Sequence, residues 1–316
     1  MQKYDLIVVG AGPAGLAAGL FASRRGMNTL LLSKHLGGQA ATTPDIENYP
    51  GLPLMEGWDM MDVFSKQVKK FGGDLRMEEV TAIHKTGDEF TVLTSNHEHT
   101  AETVILAFGK TPNDLGVPGE TRFKDKQVHY AALRDTAPYK GETVAVIGGA
   151  NTAAQSAITL ADVAKKVYLL AREGELRAEQ ILIDRLKERG DVIEIIYNVA
   201  VKEFVGEEKL QKIKATVGEE QKEFVVNEAF IGIGYSNKTD WVRELVAVDK
   251  IGQIIIQPDC STSTPGLFAA GDVTTIPYKQ VVISAGEGAK AAIAAHNYWC
   301  KKHGKLAPTI DWGAKK

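Results

Sequence analysis

Cysteine is nearly absent from this chain: Cys260 and Cys300 are the only two in 316 residues. They lie far apart and lack a ligand-like spacing to histidine, which excludes a disulfide framework and argues against a zinc site. No metal is expected, and a reducing compartment fits. Strong charge of either sign is missing as well. The formal net charge is −3 and the lysines and arginines are scattered, so there is no electrostatic footprint for nucleic acid. No apolar run reaches the roughly 18 unbroken residues of a membrane helix. The apolar segment Leu6–Ala22 carries Gly10, Gly12, Pro13 and Gly15 at turn spacing and reads as structure rather than as a leader. A cytoplasmic protein is expected. Low-complexity tracts and short repeats are absent too.

What is present is one pattern used twice. "YDLIVV" (Tyr4–Val9) is a β-branched run ending at Gly10, Ala14–Ser23 is rich in helix formers, and "TLLLS" (Thr29–Ser33) reads as the next buried strand. The order returns with a strand at Thr143–Ile147, a helix over Ala153–Ala161 and "KVYLL" (Lys166–Leu170). Chain length suggests two domains, at roughly 100 to 200 residues each. Between the units, "EFTVLTS" and "HTAETVILAFG" read as β segments, and the Pro/Gly/Asn cluster "KTPNDLGVPGE" marks a linker. "EFVVNEAFIGIGYSNKTD" gives a further strand and a polar turn, and the chain closes with a small-residue helix from about Val281 to Lys301. The fold class is therefore α/β, with two Rossmann-like nucleotide-binding domains.

"GAGPAG" (Gly10–Gly15) has dinucleotide spacing directly after a strand and before a helix. Gly10 permits the turn, Gly12 lets bare backbone approach a pyrophosphate, and Gly15 lets helix and strand pack closely. The helix N-terminus adds free N–H groups and positive potential. Ser33 stands where an acidic residue often meets the ribose. The second loop, "GGANTA" (Gly148, Gly149, Ala150, Asn151, Thr152, Ala153), is weaker, because Ala150 puts a methyl group where a pyrophosphate meets bare backbone. Beyond it, Arg172 and Arg177 suit a ribose 2′-phosphate, whereas Glu173 suits the free hydroxyls of NAD. NADPH and NADH both stay open, as does a retained scaffold with a solvated charged turn.

"GGQAATTPDIENYPG" (Gly37–Gly51) and "TPGLFAAGDVTTIPYKQVVISAGEGAKAA" (Thr264–Ala292), taken with the two loops, resemble the low-molecular-weight thioredoxin reductase family of flavoproteins. The resemblance includes the flavoprotein subunit of alkyl hydroperoxide reductase and runs over about Tyr4–Tyr298. It implies an FAD domain built from residues 1–112 and 243–316, an NAD(P)-type domain over 113–242, and a homodimer. Carried over by position, Gly10, Gly12, Pro13, Ala14 and Gly15 would face the FAD pyrophosphate. Gly38, Gln39, Asn48 and Gly109 would line the flavin side, Gly271 and Asp272 the ribityl chain, and Gln280 and Val281 the ring. A helix starting near Val281 would aim its positive end at the flavin.

These reductases carry Y-C-A-T-C-D ahead of the second loop. Aligning Tyr130 and Asp135 places Ala131 at the first cysteine and Arg134 at the second, so the dithiol is missing. Without it disulfide reduction has no attacking thiolate and no resolving partner. Arg134 and Asp135 are then expected to face the flavin; an arginine turned into an interdomain cleft is the bland alternative. Cys260 reads as packing, and Cys300 as a half-exposed helix residue. The resemblance also reaches the thioredoxin-reductase-like ferredoxin/flavodoxin NADP+ reductases, in which a C-terminal extension places an aromatic ring over the flavin; Trp312 would do so here, the alternative being a Lys-rich terminus that frays. The expected activity is hydride uptake from NADPH or NADH by FAD, with electrons passed to a ferredoxin- or flavodoxin-type carrier, a small molecule or oxygen. Two alternatives remain open. Ala150, together with Gln155 where the related reductases often carry an acidic residue, allows a flavoprotein reduced by a carrier such as ferredoxin. The other is a catalytically silent flavin-binding scaffold or sensor.

Overall fold

The computed structural model describes residues 3–43, 46–130 and 136–307. The first stretch runs β1 (Lys3–Ala11), α1 (Pro13–Arg24), β2 (Thr29–Leu36), α2 (Gly57–Lys70), β3 (Asp74–Arg76), β4 (Val80–Thr86), β5 (Glu89–Thr94) and β6 (Glu98–Leu106). Next come β7 (Thr111–Pro112), α3 (Glu120–Phe123), β8 (Val128–Tyr130), β9 (Thr143–Ile147), α4 (Asn151–Ala161), β10 (Lys166–Leu170), α5 (Gln180–Glu188) and β11 (Ile193–Ile196). Then β12 (Val199–Gly206), β13 (Leu210–Val217), β14 (Glu220–Val225), β15 (Glu228–Ile231) and β16 (Tyr235–Ser236) lead to β17 (Leu267–Ala269) and α6 (Val281–Lys302).

The chain divides into two compact units, one of residues 1–110 with 237–316 and the other of residues 111–236. The second crossover precedes the 242/243 boundary expected from sequence. The reason is packing: Val242 is 1% exposed in the core of the first unit, and Trp241 lies against Phe108 with ring centroids 5.1 Å apart.

The first unit has a seven-stranded sheet in the order β3-β2-β1-β6-β5-β4, with β17 also paired to β6. β6 divides its outer edge, pairing antiparallel with β5 over its first half and parallel with β17 over Val104–Leu106. Alternation along β1 sends Leu6 and Val8 to one core and Ile7 and Val9 to the other, as a central strand covered on both faces requires. The order reverses at β1, whose neighbours β2 and β6 lie on either side. That is the position at which α/β sheets bind ligands.

The second unit centres on a five-stranded sheet, β11-β10-β9-β15-β8, parallel throughout. Beside it stand the antiparallel β12-β13-β14 sheet and the short β7–β16 pair. No helix among the described residues is long and apolar enough to cross a membrane.

Candidate functional site

β1 ends in a turn that demands glycine. Gly10 has φ +109°, and a Cβ there would stand 2.3 Å from the Ala107 carbonyl oxygen. A Cβ on Gly15 would stand 1.8 Å from the Gly10 carbonyl oxygen, so α1 rests on the strand end with room only for hydrogen. Gly12 differs. As N-cap of α1 it has an ordinary φ of −80°, and a Cβ there would meet nothing nearer than the Gly37 carbonyl oxygen at 3.8 Å. Gly38 borders the same space, its Cβ position 3.5 Å from Gly12 Cα. No side chain caps α1, so first-turn N–H groups remain available beside bare backbone. Pro13, without an N–H, occupies the first helical position.

Ala14 turns inward. A Cβ on Gly271 would lie 2.9 Å from the Ala14 methyl, and one on Gly288 of α6 would lie 1.9 Å from the Ala14 carbonyl oxygen. Its methyl therefore packs against Gly271 and its carbonyl against α6, leaving its N–H for a ligand. Ser33, inside the second half of β2, donates its hydroxyl to the His35 carbonyl at 2.7 Å, which leaves it acceptor lone pairs for a sugar.

The later part of the chain supplies the rest of this site. The Asn48 amide donates to Gln280 Oε1 at 3.2 Å, joining residues expected separately on the flavin side, and Gln39 donates to the Lys110 carbonyl at 3.2 Å. Gln280 is the N-cap of α6, whose first turn contains no acidic residue and no side-chain cap. Val281 opens that helix, half-buried, and Gly109 sits at φ +66° in open surroundings. Asp272 accepts a hydrogen bond from Ser284 Oγ at 3.0 Å, so α6 orients that carboxylate.

Sequence reasoning missed Ser284, although the small-residue stripe it opens (Ser284, Gly288, Ala291, Ala292, Ala295) was the signal for it. Lys279 was missed too. Its ammonium donates to the Thr274 carbonyl at 2.6 Å, and burial, with Lys110 nearby, lowers its pKa.

In the second unit the frame returns with different contents. Gly148 turns at φ +146°, where a Cβ would lie 2.3 Å from the Gly232 carbonyl oxygen and 2.9 Å from the Ala153 methyl. Ala150 is the N-cap of α4 and forms an isolated bridge with Arg177, whose N–H donates to the Gly149 carbonyl at 2.7 Å. Asn151 and Glu179 exchange two bonds of 2.8 Å each. Thr152 lies half-buried in the first turn of α4. Arg172 and Arg177 both bond the Glu173 carboxylate, at 3.3 and 2.5 Å. The Arg172 hydrogen bond and the Arg177 charge hold that carboxyl below its ordinary range. The two signs read from sequence are thus one ion cluster.

Arg134, Asp135, Ala131 and Trp312 lie outside the described residues. Cys260 is fully buried, with its thiol 3.1 Å from Glu287 Oε2. Burial, then that hydrogen bond, push the thiol pKa well up. Cys300, expected half-exposed, is 3% exposed, with Sγ 3.5 Å from His296 Nε2. It continues the inner stripe of α6 one turn beyond Ala295 and His296, which is why it is covered.

Residues 4–296 match the family described as pyridine nucleotide-disulphide oxidoreductase. The chain belongs to this family. Among its relatives, one subunit of the alkyl hydroperoxide reductase of Pseudomonas putida is 36% identical over 304 residues, covering 94% of this chain and 58% of that protein. The NADH dehydrogenase of Bacillus subtilis is 34% identical over 300 residues, covering 94% of this chain and 59% of that protein. The chain thus spans a little over half the length of both. The solved thioredoxin reductase of Lactococcus lactis aligns with a TM-score of 0.82 at 30% identity, covering 95% of this chain and all of that one. The chain has the two-domain thioredoxin reductase-like fold. The family's cofactors are FAD and NADPH or NADH. The cradle at Gly12 and Gly38 fits the first of these, since a side chain at Gly12 would fill space the fold leaves free.

Proposed function

We propose that this protein is an FAD-dependent oxidoreductase that takes hydride from NADPH or NADH and passes electrons to an acceptor other than a disulfide. The observation that carries the reading is the condition of its two cysteines. Both are buried and Cys260 is held protonated beside Glu287; the resemblance would put Ala131 and Arg134 at the family's dithiol positions. A protonated, covered thiol neither attacks a disulfide nor resolves one. The name of the Bacillus subtilis relative, NADH dehydrogenase, supports an acceptor of another kind.

When bound, FAD would supply the storage of two electrons, and the protein supplies position and electrostatics. Gly12 and Gly38 would admit the pyrophosphate to the start of α1, with Gly10 and Gly15 setting the turn. Asp272, oriented by Ser284, would accept from a ribityl hydroxyl. Asn48 and Gln280 hold each other in place, and the uncapped start of α6 offers positive potential where charge accumulates. The second loop, with Arg172, Glu173 and Arg177, would receive the nicotinamide dinucleotide. Arg134, Asp135 and Trp312 are assigned to the flavin by resemblance alone. We place the working protein in the cytoplasm as a homodimer, with a small molecule, oxygen or a ferredoxin- or flavodoxin-type carrier as acceptor.

One observation favours a second reading. Arg177 and Glu179 clasp the start of α4 with the protein's own chain, which suits a flavoprotein fed by a reduced carrier. Anaerobic titration of the yellow protein separates the two. Rapid bleaching by NADPH or NADH supports the first reading, and bleaching by reduced ferredoxin alone supports the second. Efficient NADPH- or NADH-driven reduction of thioredoxin would overturn the non-disulfide assignment.

A further inference from the structure

We propose that Glu78, His97 and His99 form a binding site for a divalent ion of the zinc class, separate from both nucleotide loops. His97 lies in the turn between β5 and β6, and His99 two residues on in β6, so strand periodicity sends both rings to one face. The turn is fixed by reciprocal bonds, Thr94 N–H to the His97 carbonyl and His97 N–H to Thr94 Oγ1, each 2.9 Å. Glu78 enters from the connection between β3 and β4. Its Oε2 is approached by His97 Nδ1 at 3.1 Å, His99 Nε2 at 3.2 Å and Thr94 Oγ1 at 2.9 Å.

One ligand atom from each of the three residues lies within 4.8 Å of the others. Bonds of about 2.0–2.2 Å in a tetrahedral zinc site place neighbouring ligands roughly 3.3–3.5 Å apart. The trio therefore reaches coordination geometry through small side-chain shifts. Without an ion, both imidazoles must present a proton to the same oxygen atom. A cation replaces that competition with three ligand bonds. Two imidazoles and one carboxylate suit zinc, whereas calcium and magnesium favour oxygen donors.

The site has a wall and an opening. The His99 side chain is 5% exposed and stands edge-on to Tyr4, while the His97 side chain is 58% exposed. Three protein ligands leave a fourth corner for water. A bound ion ties the β3–β4 connection to the β5–β6 hairpin at the edge of the first unit's sheet.

The test uses full-length, tag-free protein stripped with a chelator and dialysed free of it. Titration with Co²⁺ should give the intense visible bands of tetrahedral cobalt, saturating at one equivalent and displaced by Zn²⁺. Zinc at a hundredfold excess over Kd should raise Tm by about 5 °C. His97→Ala, at an exposed turn position, should keep the wild-type circular dichroism and lose the cobalt bands. Its zinc affinity should fall by more than the roughly ten- to hundredfold lost with an outer-shell partner. His84→Ala, on the exposed face of β4, should bind as wild type does. Absence of the bands at one equivalent, or equal zinc affinity in wild type and His97→Ala, overturns the proposal.

Discussion

The two glycine loops begin alike and end differently. After β1, the third position of the spacing is Gly15, with no space for a methyl group; after β9 it is Ala153, whose methyl fills the gap beside Gly148 and Gly232. At the second position Gly12 borders open space, while Ala150 carries its own Cβ and pairs with Arg177. The first loop is bare and uncapped, and the second is clasped by Arg177 and Glu179. Strand–turn–helix geometry is therefore separable from readiness to receive a phosphate. A fold can keep the first while its neighbouring residues regulate the second.

The sharpest way to break this comparison is to exchange the third positions. Gly15→Ala should destabilise the first unit by about 3 kcal/mol, because the methyl collides with main chain that cannot yield. Ala153→Gly should cost only about 1 kcal/mol. Urea unfolding measures both, and equal effects would erase the distinction. Gly12→Ala should leave stability within about 0.5 kcal/mol yet weaken FAD binding by roughly tenfold, about 1.4 kcal/mol, as read by fluorescence titration.

The units also differ in the braces that pH can loosen. In the first, burial works to raise the Glu102 carboxyl, and bonds from Lys302 and His303 more than offset it, so the net shift is downward. A depressed carboxyl contributes stability above its unfolded value that is lost as pH falls through the folded one. In the second, burial and then the bond to Glu120 raise the Tyr130 hydroxyl. That contribution is present below about pH 10 and is lost as pH rises further. Thermal unfolding across pH should show an acid limb flattened by Glu102→Gln and an alkaline limb flattened by Tyr130→Phe. Ala150→Gly should have the smallest effect, a few-fold tightening of NADPH or NADH in flavin-reduction kinetics. Unchanged affinity would remove the second loop from pyrophosphate binding.

Much of this architecture was legible in local pattern. Thr143–Ile147 and Lys166–Leu170 are strands with those bounds, and the last helix runs from Val281 as its small residues suggest. Turn glycines were readable because positive φ and close backbone approach leave few substitutes. What escaped was pairing across sequence distance. Nothing local joins Asn48 to Gln280, Ser284 to Asp272 or Asn151 to Glu179. Cys300 is buried rather than half-exposed because the helix face it occupies, one turn after His296, decides its exposure. The trio of Glu78, His97 and His99 escaped because cysteine spacing says nothing about ligands that a hairpin and a neighbouring connection bring together.

The divided edge of β6 bears on how the protein is made. Its later half waits for β17, and α1 waits for α6, so the opening segment leaves the ribosome with part of its sheet and a helix face lacking their mates. Residues 111–236, contiguous in sequence, meet no such delay. Synthesis from the N-terminus therefore lets the middle of the chain mature while the beginning stays incomplete until α6 arrives.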